Sequence, residues 1–200
     1  MTGQAPGRVR AAVLISGAGS NMAALIDAAG DHDCPFEVVL VVSNRPEAGG
    51  LAVALEKGVP VAVVDHRPFG PDREAHERAI DAVLSEHGAQ VIALAGYMRL
   101  LTPWLVRRWE GRMLNIHPSL LPKYPGLDTH ARALAAGDVE AGCSVHLVTE
   151  GVDEGPVLGQ ARVPVLADDT PGSLAQRVLA AEHQLYPAVL TDFCRQMRSL

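Results

Sequence analysis

The sequence predicts an α/β protein: a doubly wound, mostly parallel sheet with a C-terminal antiparallel hairpin. Three observations carry this. Short runs rich in Val, Leu and Ile recur up to residue 116 and alternate with segments of helical spacing. The runs are nearly continuously apolar rather than apolar at every second residue, as strands covered on both faces are. After residue 140 the pattern changes to two runs separated by a short acidic, Gly-rich loop, which is how an antiparallel pair reads.

Val9–Ile15 (VRAAVLI) runs into a glycine loop and is expected as a buried first strand. Asn21–Ala29 follows as a helix, with Met22, Leu25, Ile26 and Ala29 at helical spacing. Glu37–Ser43 (EVVLVVS) is the second strand, Pro46–Lys57 a helix stopped by Gly58, and Val59–Val64 the third strand. Pro71–His87 reads as a polar-faced helix with Ile80, Val83 and Leu84 on its apolar side, closed by Gly88. Gln90–Ala95 is the fourth strand, Pro103–Trp109 a short helix and Arg112–Ile116 the fifth strand. Ala141–Thr149 and Pro156–Val165 form the hairpin. Thr170 caps a last helix with Pro171 in its first turn, running through Leu174, Val178 and Leu185. No repeat, low-complexity tract or interdomain linker interrupts the chain. Residues 9–200 are expected to form one domain behind a short disordered lead, residues 1–8.

Two hundred residues can bury a substantial core. The hydrophobic fraction is 48%, yet no run of about 18 apolar residues occurs, so no membrane span is expected. Met1–Arg10 has no apolar stretch of the kind a secretory signal needs. Cys34, Cys143 and Cys194 are odd in number and far apart, without a CxxC pair, which argues against a zinc site or a disulfide framework. A reducing cytoplasm and no metal are the expectations. The net charge of −6 argues against wide contact with nucleic-acid phosphates.

In such sheets ligands bind beyond the carboxyl ends of the strands. The loops after strands one, four and five therefore converge on one edge. The first, Gly17-Ala18-Gly19-Ser20-Asn21, opens a helix. Its glycines let backbone approach an anion, and the helix N-terminus offers free N–H groups and the positive end of the dipole. The plainer reading is a tight turn capped by Ser20 or Asn21. A dinucleotide fits less well than a single phosphate: Met22-Ala23 stands where a third glycine belongs, and Val42-Ser43-Asn44-Arg45 offers no carboxylate to a ribose.

The loop after strand five belongs to Asn115-Ile116-His117-Pro118-Ser119-Leu120-Leu121-Pro122-Lys123-Tyr124-Pro125-Gly126, stiffened by three prolines. Two residues apart on a strand, Asn115 and His117 share a face. An amide donor suits an oxyanion, and losing one such donor costs roughly 2.7–4 kcal/mol of transition-state stabilisation. Imidazole titrates near working pH and suits an acid. A carboxylate such as Asp153 beside His117 would favour the imidazolium. Taken singly, each has a plainer role: Asn115 in a turn, His117 in strand-end packing, Asp153 in a solvated loop. Ser119 lacks a nucleophile elbow and the cysteines lie in apolar or terminal contexts, so direct transfer is preferred to a covalent intermediate.

Four segments in this order resemble the folate-dependent formyltransferases: Ser16–Asn21, Leu94–Leu101, Asn115–Gly126 and Ser144–Val157. The likeness runs from about residue 9 to about residue 190, and the Lys123–Gly126 ending is most similar to the branch acting on phosphoribosylglycinamide. The resemblance implies the formyltransferase variant of a Rossmann-like fold. It also implies formyl transfer from 10-formyltetrahydrofolate to the amine of 5'-phosphoribosylglycinamide in purine biosynthesis. By position, Asn115, His117 and Asp153 match the catalytic residues. Gly19, Ser20 and Asn21 match the phosphate loop, and Glu182 a carboxylate that contacts the same substrate. Arg73, Met98, Arg99, Leu100, Leu101, Asn115, Thr149, Glu150, Gly151, Val152 and Asp153 match the folate contacts. The two small-molecule substrates are the expected partners, with the protein a monomer or homodimer. His146 is expected to be structural or to stand behind the reacting groups. Two departures concern the acidic loop: Glu150 replaces an aspartate common in the family, and Glu154 a common glycine.

Other readings remain at this point. A formyltetrahydrofolate hydrolase would use water as acceptor and usually carries an N-terminal regulatory domain, for which residues 1–8 leave no room. A methionyl-tRNA formyltransferase usually carries a C-terminal barrel and a basic surface, for which neither length nor charge allows. A non-catalytic nucleotide-binding module would have no use for Asn115, His117 and Asp153 together.

Overall fold

The computed structural model describes residues 7–199; residues 1–6 of the expected lead lie outside them. Seven strands form one sheet in the order β3-β2-β1-β4-β5-β6-β7. They are β1 (Val9–Ile15), β2 (Phe36–Ser43), β3 (Val61–Val63), β4 (Val91–Leu94), β5 (Met113–His117), β6 (Glu140–Leu147) and β7 (Val157–Pro164). The first five run parallel, β6 is antiparallel to β5, and β7 to β6. This is the expected doubly wound sheet with its antiparallel extension. The strand order reverses between β1 and β4, which opens a crevice at their carboxyl ends.

The apolar runs are explained by cover on both faces. Val9, Ala11, Val13 and Ile15 of β1 point to one face, Ala12 and Leu14 to the other. On the first face lie Met22 and Leu25 of α1 (Ser20–Ala29), Ala54 of α2 (Gly50–Glu56), and Leu174, Val178, Tyr186 and Leu190 of α6 (Pro171–Met197). On the second lie Ile80 and Leu84 of α3 (Arg73–Glu86) and Leu105 of α4 (Pro103–Arg108). The Tyr186 hydroxyl is shared between the carbonyls of Leu94 and Leu114, at 3.0 and 3.1 Å, so α6 is locked against the ends of β4 and β5. Among the described residues no helix is long and apolar enough to cross a membrane.

Several boundaries differ from expectation. The helix expected from Pro46 begins at Gly50, because residues 45–49 turn back on the glycine loop: Ala48 N–H donates to Arg45 O and Gly50 N–H to Gly17 O. Gly50 is needed there, since a Cβ would lie 2.7 Å from Ile15 Cδ1 and 3.1 Å from Gly19 Cα. β3 is three residues long rather than six. Asp72 caps α3 by accepting Ala75 N–H at 2.9 Å, leaving Pro71 outside the helix. Two elements have no counterpart in the sequence-based expectation: a 3-10 turn at Arg67–Phe69 and the short helix α5 (Thr129–Ala135).

Thr170 closes a capping box with Ser173: each side chain takes the other's backbone N–H, at 3.2 and 2.9 Å. Thr170→Ala should therefore cost about 1 kcal/mol, read as a fall of about 2–4 °C in thermal midpoint.

His76 is 1% exposed; its Nε2–H donates to Val64 O at 2.8 Å, and Phe69 packs edge-on at 5.3 Å. Burial lowers its pKa from the ordinary 6.5, outweighing the bond to Val64. The folded state then prefers neutral His76, while the unfolded chain takes up a proton below about pH 6.5. Stability should be full above that pH and fall as the pH drops through the lowered value. His76→Gln keeps an N–H donor without titrating. Urea midpoints at pH 7 and 5 should differ less in that variant than in the wild type.

Candidate active site

β5 delivers Asn115 and His117 on one face, as period two requires, and β6 lies alongside with His146 directly opposite Asn115. The loop from β6 to β7 brings Asp153 over this pair. Its backbone adopts a left-handed conformation (φ 55°), which turns the carboxylate inward. Asp153 Oδ2 accepts the N–H of Gly126 at 2.9 Å and lies 3.3 Å from His117 Nδ1. Asp153 Oδ1 lies 3.4 Å from both Asn115 Nδ2 and His146 Nε2. The three residues matched to catalysis thus stand in direct contact. His146 joins them: its expected supporting position proves to be against both Asn115 and Asp153.

His117 Nε2 bonds Tyr124 O at 2.9 Å, while its Nδ1 faces Asp153. His146 donates Nδ1–H to Leu147 O at 2.8 Å. Its Nε2 accepts from Asn115 Nδ2 at 3.2 Å when neutral and donates to Asp153 when protonated. Burial pushes the Asp153 carboxyl up, but bonds from His146 and Gly126 and the charges of His117 and His146 outweigh it. The carboxyl is held below the ordinary 3.8. Asn115 Nδ2 lies 3.2 Å from His146 Nε2, and its contact to Asp153 is longer and weaker.

The glycine loop sits at the crevice. Gly19, in a left-handed conformation (φ 74°), precedes α1 and makes no side-chain cap, so neither Ser20 nor Asn21 caps the helix. The first bond of the helix runs from Ala23 N–H to Gly19 O, so the N–H groups of Ser20, Asn21 and Met22 precede it. Asn21 is buried and donates Nδ2–H to Glu182 Oε2 at 2.7 Å. Glu182 is itself buried in α6, and burial raises its pKa despite that bond. The fold therefore joins Asn21 to Glu182 through one amide hydrogen of Asn21.

The folate-matched residues form the rim. Met98 and Leu100 are each 62% exposed and Val152 is 50% exposed, while Leu101 packs on the core. Arg73 Nη1 approaches Leu100 O at 3.4 Å, and Arg99 is half-buried on the same segment. Thr149, Glu150 and Gly151 follow β6. Glu150 forms an exposed ion pair with Arg107 of α4 at 2.7 Å. Glu154 folds over Gly151 instead of facing His117, its Oε2 lying 2.3 Å from where a Gly151 Cβ would sit. Missing from the sequence-based set are His146, the Tyr124 carbonyl and the Gly126 N–H. The pairing of β5 with β6 is the signal that would have found His146.

An amide, two imidazoles and a carboxylate stand together at the edge of a Rossmann-like sheet, beside a glycine loop, the layout of a group-transfer protein's site. Comparisons show the family. The formyl transferase family profile matches residues 9–190, and the chain belongs to that family. It is 46% identical over 181 residues to the phosphoribosylglycinamide formyltransferase of Escherichia coli K12, covering 90% of this chain and 85% of that protein. It is 49% identical over 185 residues to the trifunctional purine biosynthetic protein adenosine-3 of Drosophila melanogaster. That match covers 92% of this chain, which spans only 14% of the relative's length. The crystal structure of the Brucella melitensis phosphoribosylglycinamide formyltransferase superposes with a TM-score of 0.90 at 55% identity, covering 94% and 96% of the two chains. That of glycinamide ribonucleotide transformylase 1 from Symbiobacterium toebii gives 0.92 at 41% identity, covering 98% and 94%.

A side chain at position 19 would be strained by the positive φ and would bring its Cβ to 3.0 Å from Gly50 Cα. Gly19→Ala should raise KM for a phosphate-bearing substrate roughly tenfold, about 1.4 kcal/mol, with a smaller change in kcat. Steady-state kinetics with the phosphate substrate varied will show which parameter moves.

Proposed function

We propose that this protein transfers the formyl group of 10-formyltetrahydrofolate to the amine of 5'-phosphoribosylglycinamide, giving formyl-phosphoribosylglycinamide and tetrahydrofolate in cytoplasmic purine biosynthesis. The observation that carries this is the direct contact of Asn115, His117 and Asp153 in a chain of this family. Three free, buried cysteines suit a reducing compartment.

The amine nitrogen attacks the formyl carbon, forming a C–N bond and placing negative charge on the formyl oxygen. The Asn115 amide hydrogen now facing Asp153 turns to that oxygen, and the His117 imidazolium adds positive charge beside it. The attacking nitrogen becomes an ammonium and must lose a proton, while N10 must gain one before it can leave. Asp153, ionised and in contact with His117, is placed to relay that proton, directly or through a water. The C–N10 bond breaks as the carbonyl reforms. Atoms and charge balance without a covalent enzyme intermediate. Ser20 and the N–H groups opening α1 hold the substrate phosphate, and Asn21 with Glu182 borders that end. Arg73 and the segments Met98–Leu101 and Thr149–Asp153 hold the folate.

The test is a spectrophotometric assay of 10-formyltetrahydrofolate with and without phosphoribosylglycinamide. Turnover should require the amine; turnover without it would indicate a hydrolase instead. His117→Asn and Asp153→Asn should each lower kcat roughly 10²- to 10⁴-fold with much smaller changes in KM. Asn is the informative replacement at 153 because it tolerates the left-handed backbone while removing the charge.

A further inference from the structure

Ser16, the residue between β1 and the glycine loop, is tied in three directions. It is 6% exposed. Its hydroxyl donates to Asn44 Oδ1 at 2.6 Å and accepts the backbone N–H of Met98 at 2.8 Å. Its own N–H donates to Gly96 O at 3.1 Å. Asn44, at the end of β2, is 1% exposed, and its carbonyl accepts His66 Nδ1–H at 2.8 Å. The carbonyl of the next residue, Gly17, accepts Gly50 N–H at 3.0 Å. One small side chain therefore joins the loops after β1, β2 and β4 across the point where the strand order reverses.

The hydroxyl has a single proton, and Asn44 takes it. That fixes the hydroxyl's rotation and aims a lone pair at Met98. By volume alone an alanine would fill the position, but it would leave Asn44 Oδ1 and the Met98 N–H without the hydroxyl that joins them. Met98 has no anchor of its own in the core, since its side chain is 62% exposed. The start of the folate-matched segment is thus held by its main chain, at Ser16.

We infer that Ser16 is a positioning residue that sets the distance between the phosphate loop and the folate loop. The inference rests on the proposed formyl transfer. In that reaction the amine belongs to the substrate held at residues 17–21 and the formyl group to the one held along 98–101. Their separation at the moment of attack is inherited from the loops, and Ser16 is the shortest covalent and hydrogen-bonded path from one loop to the other. A displacement of about 1 Å between reacting groups can cost on the order of 10²-fold in rate.

The experiment compares wild type, Ser16→Ala and Ser16→Thr in the full chain. Ser16→Ala should lose roughly 10- to 100-fold in kcat while both KM values stay near wild type, and Ser16→Thr, which restores a hydroxyl, should recover much of it. A second readout needs no variant: amide exchange at Met98 should slow when phosphoribosylglycinamide binds wild-type protein in the absence of folate. Undiminished kcat in Ser16→Ala, or Met98 exchange indifferent to that substrate, would overturn the role of Ser16. Wild-type protein that fails to transfer formyl at all would instead overturn the reaction on which the role rests.

Discussion

The candidate site is organised around one carboxylate. Asp153 takes the N–H of Gly126 and faces His117, His146 and Asn115, gathering groups from β5, from the proline-rich loop after it and from β6. Leaving such a charge buried without partners would be costly, and removing any one partner exposes part of that cost. The same contacts keep the carboxyl ionised, against the pull of its own burial. An ionised Asp153 in turn places a negative charge beside His117 Nδ1. Backbone geometry makes this possible, because the left-handed turn at residue 153 points the side chain into the cluster.

The strands were legible because of where they lie. β1, β2 and β4 are covered by helices on both faces, so apart from Arg10, Glu37 and Ser43 their positions are apolar and the runs stand out against their neighbours. The last helix announced itself through Thr170 and Pro171, whose chemistry is local. α5 did not, since Thr129–Ala135 is too short for a periodic signal and follows Asp128, whose left-handed backbone gives no sequence mark. Pro46 misled for a different reason. Proline favours the first turn of a helix, yet residues 45–49 are drawn into a turn by the contact of Gly50 with Gly17 in the glycine loop, a partner far away in sequence.

The polar residues divide the same way. Asn115 and His117 were readable as a pair because a strand fixes their common face whatever its neighbours are. His146 could not be oriented without knowing that residue 146 pairs with residue 115, a tertiary fact. Glu182 looked like an ordinary surface position on a long helix; it is buried because α1 packs against α6 and offers Asn21. Sequence resemblance supplied both residues by position, but only the fold shows that they contact each other. One amide hydrogen of Asn21 goes to Glu182, which ties the start of α1 to α6.

The sheet also divides the labour. Its parallel half brings the glycine loop and the Met98–Leu101 segment to the two sides of the strand reversal, where the proposed reading puts its two ligands. Nothing in that half supplies a carboxylate to His117. Asp153 and His146 come from the antiparallel extension, β6 and the loop into β7. That extension is pinned to the proline-rich loop through buried Ser144, which donates to Ser119 O at 2.6 Å and accepts Leu121 N–H at 3.0 Å. The proposed proton relay is thus built by adding two strands to a ligand-binding sheet. The chain's last departure from doubly wound topology is the feature that equips the crevice for chemistry.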